Sequence, residues 1–281
     1  MCYDVRENYW RNVVELDAWP RGVRGALGQA VRRVERTVAP YVDHFLLAER
    51  AYAEELDFLG ARYTIIRNKY RPKQTFGEKG GAPWPDCRTN HRLHLLYSGT
   101  IAEPYGIFDA VRFATALHAL DDTTRLRIVG YCARTATLRR LRAEIADKPF
   151  VTLVGGEHLV PHDVIEEEIR RAGLGLMPYH RSPAVDSREF VKLFEYLAHR
   201  LPVIMTPNPY WEELAKPYGG ILFAKINSLE ISKEYAEELI SKRFYERVSE
   251  WDLARLIWQE SECAVLLGVV GELLPPSSRP T

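Results

Sequence analysis

The sequence predicts an α/β protein built on a parallel sheet, and three observations carry that reading. From residue 93 onward, short apolar runs alternate with stretches whose apolar residues recur every three or four positions. Within residues 174–205 an apolar run leads into a Pro-Tyr-His loop, a helical segment and a second apolar run, Leu-Pro-Val-Ile. Strand–helix alternation of this kind implies parallel strands with helices on both faces. Upstream, residues 71–91 concentrate Gly, Pro and charge, the composition of a linker between two parts of a chain.

The elements follow in order. Val31, Val34 and Val38 mark one face of a helix; residues 43–48 read as a strand, 49–58 as a helix and 63–67 as a second strand. Two strands are too few for an independent α/β domain, so residues 1–70 read as a partial N-terminal α/β half. A Rossmann-like unit is expected over 92–248, with strands at 93–97, 126–131, 150–154, 174–177, 203–205 and 221–223. The helices between them show apolar faces such as Ile107, Ala110, Val111, Ala114 and Leu117, or Leu138, Leu141 and Ile145. Asp163 and Ser232 are expected N-caps. Ser249 with Asp252 makes a capping-box opening for one C-terminal helix over 249–274, before a tail at 275–281.

Composition narrows the partners. Lys plus Arg equals Asp plus Glu at 38 each in 281 residues, so no global charge draws the chain to nucleic acid. Arginines cluster at Arg21, Arg24, Arg32, Arg33 and Arg36, and again at Arg134, Arg139, Arg140 and Arg142. They read either as solvated helix faces or as a peripheral contact with a lipid headgroup surface. Cys2, Cys87, Cys132 and Cys263 lie far apart without Cys-x-x-Cys spacing, which fits a reducing compartment and argues against structural zinc. The start lacks the layout of a signal peptide, and the apolar run at 264–270 falls far short of the ~20 residues that span a bilayer. A cytoplasmic protein is expected, with room for peripheral contact at the inner face of a membrane.

Residues 174–205 carry the chemistry. Asp186 is expected to open a helix with Lys192 in its second turn and Glu195 three residues later. Free backbone N–H groups at a helix start, beside a lysine, form a site for a phosphate. A carboxylate one turn further accepts hydrogen bonds from paired hydroxyls such as those of ribose. The segment reads as a grip on a nucleotide diphosphate.

The same residues resemble the donor-binding half of GT-B glycosyltransferases, specifically the family 4-like retaining group. The matching pattern runs Lys192-Leu193-Phe194-Glu195-Tyr196-Leu197-Ala198, a short turn, then Pro202-Val203-Ile204. It extends to Leu95-Leu96-Tyr97-Ser98-Gly99-Thr100 with Gly106, to residues 151–156, and weakly to residues 3–9 and 65–68. The resemblance implies a truncated GT-B arrangement, a Rossmann-like donor domain after an incomplete N-terminal half. It implies that Glu195 binds the donor ribose, and that Lys192 with the amides of Phe190 and Val191 faces the diphosphate. Gly99, Thr100 and Gly106 belong to the loop that approaches the phosphates, and Gly155 and Gly156 to the loop that cradles the base. Tyr179 and His180 are expected at the pocket edge.

Two departures stand out. The first glutamate of the resembled pattern, eight residues before Glu195, is Ser187 here, which serves as a cap or a donor to a sugar hydroxyl but not as a carboxylate. Relatives carry an arginine and a lysine in the loop after the first strand, where this chain has Ala102 and Tyr105. His158 and His162 read as ligand contacts or as solvated loop residues, and Asp4 with Glu7 as cleft-lining or plain surface.

The function implied is a metal-independent, retaining transfer of sugar from a nucleotide diphosphate donor, uridine being the expected base, in polysaccharide biosynthesis. The acceptor would be a glycan, a lipid-linked or a small-molecule hydroxyl. No Asp-x-Asp occurs, which disfavours a metal-chelating solution, and no cofactor beyond the nucleotide-sugar is expected. Two alternatives stay open, a catalytically silent nucleotide-sugar-binding module or partner subunit, and a sugar-nucleotide epimerase. An incomplete N-terminal half also leaves room for self-association through residues 1–70.

Overall fold

Two parallel sheets organise the chain in a computed structural model that describes residues 1–15, 20–73, 93–228 and 231–274. The first has strand order β1-β2-β3, from β1 (Cys2–Val5), β2 (His44–Leu47) and β3 (Tyr63–Ile65). Helices α1 (Tyr9–Glu15), α2 (Arg21–Val38) and α3 (Tyr52–Glu55) connect these strands. They close a small core of Val5, Ala39, Val42, Phe45, Leu47, Tyr52, Leu56 and Leu59.

Three strands rather than two therefore precede the segment read as a linker. Sequence periodicity misses β1 because Cys-Tyr-Asp-Val is short and only Val5 is buried. Pairing with β2, from Cys2 opposite His44 to Val5 opposite Leu47, supplies what the pattern lacks. Helix α3 is shorter than the expected 49–58, because the chain turns extended at Leu56 and brings Leu56 and Leu59 into the core. Strand β3 ends at Ile65, beyond which the Arg67 N–H donates to the Glu262 carboxylate. Of the stretch 71–91, residues from 74 on lie outside the described residues, as does the tail at 275–281.

The second sheet has six parallel strands in the order β6-β5-β4-β7-β8-β9. They are β4 (His94–Thr100), β5 (Arg125–Tyr131), β6 (Val151–Gly156), β7 (Leu174–Met177), β8 (Val203–Met205) and β9 (Ile221–Phe223). Their bounds fall within two residues of the sequence expectation except at the end of β4. The connecting helices are α4 (Ile107–Leu120), α5 (Thr135–Ile145), α6 (His162–Arg171), α7 (Pro183–Asp186), α8 (Val191–Ala198) and α9 (Pro209–Ala215). After β9 come α10 (Lys233–Ser241), α11 (Glu250–Ala254) and α12 (Trp258–Leu273). Apolar cores on both faces bury β4 throughout its centre, which is why it reads as a continuous apolar run.

Two expectations at helix ends need correction, and two hold. Pro161 holds the chain extended one residue before α6, so Asp163 is a first-turn acid rather than the N-cap. Ser232 and the Ser249–Asp252 capping box do cap α10 and α11. The single helix expected over 249–274 is divided, because Ile257 is extended and pairs with Tyr70, whose carbonyl accepts from Trp258 N–H. That bridge and the buried Lys69–Glu262 pair (2.7 Å) return the C-terminal helices to the end of the first unit.

Candidate functional site

The carboxyl ends of β4 and β7 diverge where the strand order reverses, the position at which open parallel sheets bind ligands. Helix α8 begins there, but not as the sequence suggests. Asp186 closes the short helix α7, and residues 187–190 leave the helical path before α8 starts at Val191. Lys192 thus lies in the first turn of α8, nearer the helix start than expected. The break has a physical cause: Ser187, Arg188 and Glu189 are drawn aside by partners outside the helix. Trp211 Nε1–H donates to the Arg188 carbonyl, and Phe190 resumes the chain in extended geometry with no side-chain cap.

Lys192 points under the end of β4. A Cβ at Gly99 would lie 2.7 Å from Lys192 Nζ, and Gly99 has a φ of +92°, so only glycine leaves the lysine this path. The ammonium lies 5.3 Å from the Tyr97 ring centroid and 5.8 Å from that of Tyr179. Burial pushes Lys192 down to about 8, against the opposing field of Glu195. Two hydrogen bonds fix the helix on the strand, as Ser98 N–H donates to Tyr196 Oη (3.1 Å) and the two hydroxyls meet at 2.8 Å. Gly106, at φ +71°, caps α4 where any Cβ would strike the Pro178 carbonyl, which locks the loop after β4 onto the end of β7.

Glu195 is buried one turn further along α8. Its Oε1 lies 2.8 Å from Nε2 of His162, the first residue of α6. Gly155 and Gly156 end β6 at φ +89° and +84°, so the loop they open runs to this same place. The structure thus gathers Gly99, Lys192 and Glu195 at the sheet's carboxyl edge, with Thr100 exposed beside them and Gly155 and Gly156 two strands away.

Other sequence candidates lie elsewhere. Tyr179 is not at a pocket edge; it is buried against Tyr105 (5.0 Å), Phe190 (4.6 Å) and Trp211 (6.4 Å), a packing role shared by Phe190. Its neighbour His180 pairs with the buried Asp109 of α4. Val191 is half-buried at the helix start, and His158 is exposed. Asp4 and Glu7 are exposed and take local partners, Arg6 and Asn12.

Ser187 faces the first unit. Arg11 donates to Ser187 Oγ (3.3 Å) and pairs with Glu55 (2.7 Å), whose other oxygen accepts from Asn8 (2.6 Å). Beside this cluster, Arg188 donates to Tyr52 Oη (2.6 Å) and pairs with Glu49 (3.3 Å), and Arg67 approaches the buried Glu189 (3.4 Å). The carboxyl ends of both sheets therefore meet through charged pairs. Sequence reasoning missed the contacts between the two units because their members lie more than a hundred residues apart, and only the fold brings them together.

Burial raises the Glu49 carboxyl to about 7, with Arg188 opposing the shift. The folded chain then binds more protons than the unfolded chain between the ordinary carboxyl value and about 7. This contribution to stability is full below that window and lost as pH rises through it. Thermal melts between about pH 4.5 and 7 should show the fall flattened in Glu49→Gln, and equal slopes in both proteins would exclude Glu49 as its source.

Among the described residues, no group of three or more His, Cys, Asp or Glu gathers to hold a metal ion, and no helix is long and apolar enough to cross a membrane. Two parallel α/β units facing each other by their carboxyl strand ends are the arrangement of the GT-B fold. Solved structures bear this out. Sucrose-phosphate synthase from Thermosynechococcus elongatus matches at a TM-score of 0.60 and 15% identity over 96% of this chain and 66% of that one. HepE from Anabaena, in complex with UDP and glucose, matches at 0.53 and 10% identity over 86% of this chain and 67% of that one. The GtfA/B complex matches at 0.52 and 15% identity, and this chain covers 84% of itself but only 47% of that chain. At these identities the likeness establishes the fold, and the chain spans about half the length of the GtfA/B chain. No family model and no curated protein sequence matches it.

Proposed function

We propose that the chain binds a nucleoside diphosphate sugar at the carboxyl end of β4, uridine being the expected base, and serves the transfer of that sugar to a hydroxyl acceptor with retention of configuration. The observation that carries this reading is Lys192, placed in the first turn of α8, passing under a strand end that only glycine permits. A diphosphate leaving the sugar carbon gains charge, and a fixed cation beside unpaired helix N–H groups stabilises that charge without a metal. Glu195, three residues on, is the ribose acceptor in this reading. The acceptor is a glycan, a lipid-linked or a small-molecule hydroxyl.

A second reading has its own support. Where the resembled pattern presents a carboxylate to the sugar, Ser187 is engaged by Arg11 and Glu55. A nucleotide-sugar-binding partner subunit without transfer activity would tolerate that arrangement.

One set of measurements separates the readings. Calorimetry with UDP and a radiolabelled UDP-sugar should give binding to the parent chain. Glu195→Ala should weaken it by about 1.5–3 kcal/mol, the scale of a charge-assisted hydrogen bond. Labelled product or released sugar supports transfer, and binding without turnover supports the partner subunit. Unchanged affinity in Glu195→Ala would remove that residue from the site.

A further inference from the structure

His162 stands where the loop from β6 enters α6, and its side chain is half-exposed while the Glu195 oxygen it touches is sealed from solvent. That oxygen, Oε1, has no well-aligned hydrogen-bond donor; its near neighbour is His162 Nε2 at 2.8 Å. A ribose hydroxyl approaching Oε1 therefore meets the imidazole first. On its other side, His162 Nδ1 lies 3.6 Å from Oε1 of Glu166, one turn along α6. Glu166 is itself committed, accepting from the buried Tyr70 hydroxyl at 2.6 Å and pairing with Arg170 at 3.8 Å. Tyr70 Oη also lies 3.1 Å from His199 Nε2, so Glu166 and its partners form a fixed wall behind the ring.

We propose that His162 gates the ribose subsite: it holds the Glu195 carboxylate in the empty protein and must release it when a nucleotide binds. This rests on the assignment of Glu195 to ribose. Affinity is then set by a competition between imidazole and ribose hydroxyls for one carboxylate. Two carboxylates, Glu195 and Glu166, face the imidazole, with Lys73 the opposing cation and the Tyr70 ring 6.2 Å away. Glu195 raises the His162 imidazolium above its ordinary value, while partial burial and Lys73 push it down. Once Glu195 is given to ribose, the main cause of the raised value is lost, so nucleotide binding expels a proton from His162. Binding that expels a proton strengthens as pH rises.

The test is UDP calorimetry on the full chain and on His162→Gln at about pH 6, 7 and 8, the range in which an imidazole titrates. Protonation of the ligand and titration of Lys192 act on both proteins and cancel in the ratio of their dissociation constants. His162→Gln should bind about five- to tenfold more tightly than the parent at pH 6, with the advantage shrinking to about twofold or less at pH 8. His162→Asn, with melting curves for all three proteins, guards against a folding defect in one variant. A ratio independent of pH, or weaker binding by both variants, overturns the gate while leaving the nucleotide site in place. If none of the three proteins binds UDP, the assignment of Glu195 to ribose falls, and the gate with it.

Discussion

Lys192→Met is expected to melt above the parent protein and to hold a nucleoside diphosphate ten- to a hundredfold more weakly, roughly the span of a charge-assisted hydrogen bond. Both halves follow from one placement. Burial that lowers Lys192 to about 8 is a cost the fold carries at every pH where the ammonium is charged. At 1.36 kcal/mol per pKa unit the shift corresponds to roughly 3 kcal/mol, and partial solvent contact brings the expected gain down to about 1–2 kcal/mol. Lost contacts with the Tyr97 and Tyr179 rings offset part of this, and a thioether replaces some of them. The unfolded chain keeps its proton up to the ordinary lysine value, so the folded parent binds fewer protons between about 8 and 10.5. The parent therefore gains stability through that window, and the advantage of the methionine should shrink there. Binding of uridine alone should change little, because a nucleoside offers no phosphate. A variant that melts lower and keeps its diphosphate affinity would make Lys192 a packing residue.

A residue that costs stability and is proposed to serve binding is where reasoning from sequence meets its limit. The helix that carries Lys192 and Glu195 was legible because strand–helix alternation is local, although its start was not. The six strands of the second sheet were legible for the same reason, each being a short apolar run between helical faces. What escaped depended on contacts distant in the chain. Strand β1 exists because β2 pairs with it, and α8 begins late because Ser187, Arg188 and Glu189 find partners on the first unit. Tyr179 follows an apolar strand as a pocket residue would, yet Tyr105, Phe190 and Trp211 enclose it. Gly130 did leave a trace, as a glycine near the end of an otherwise apolar strand marks a close backbone approach. Its partners in register are Gly99 on β4 and Gly155 on β6, so three glycines cross the sheet in one row beneath the site.

That row gives the largest stability change expected of a single methyl group. A Cβ at Gly130 would lie 1.7 Å from the Gly99 carbonyl oxygen, and both positions are backbone, so no flexible side chain can yield. Gly130→Ala must spread β4 from β5 at their carboxyl ends, and a cost of about 3 kcal/mol or more is expected. For a chain of this size that lowers the melting temperature by roughly 5 °C or more. Gly268→Ala is the matched control. It lies within α12, and nothing stands within 4 Å of the added Cβ, so it should stabilise by about 0.5–1 kcal/mol. Both substitutions remove the same freedom from the unfolded chain, and the difference between them isolates the clash in the folded state. Function should follow, because spreading β4 moves Gly99 away from Lys192 and loosens the one fixed path of the ammonium toward a diphosphate. At a temperature where Gly130→Ala remains folded, its affinity for UDP should therefore fall while that of Gly268→Ala matches the parent. If Gly130→Ala melts with the parent, the strand ends are not in contact, and the glycine floor beneath the proposed phosphate site does not exist as described.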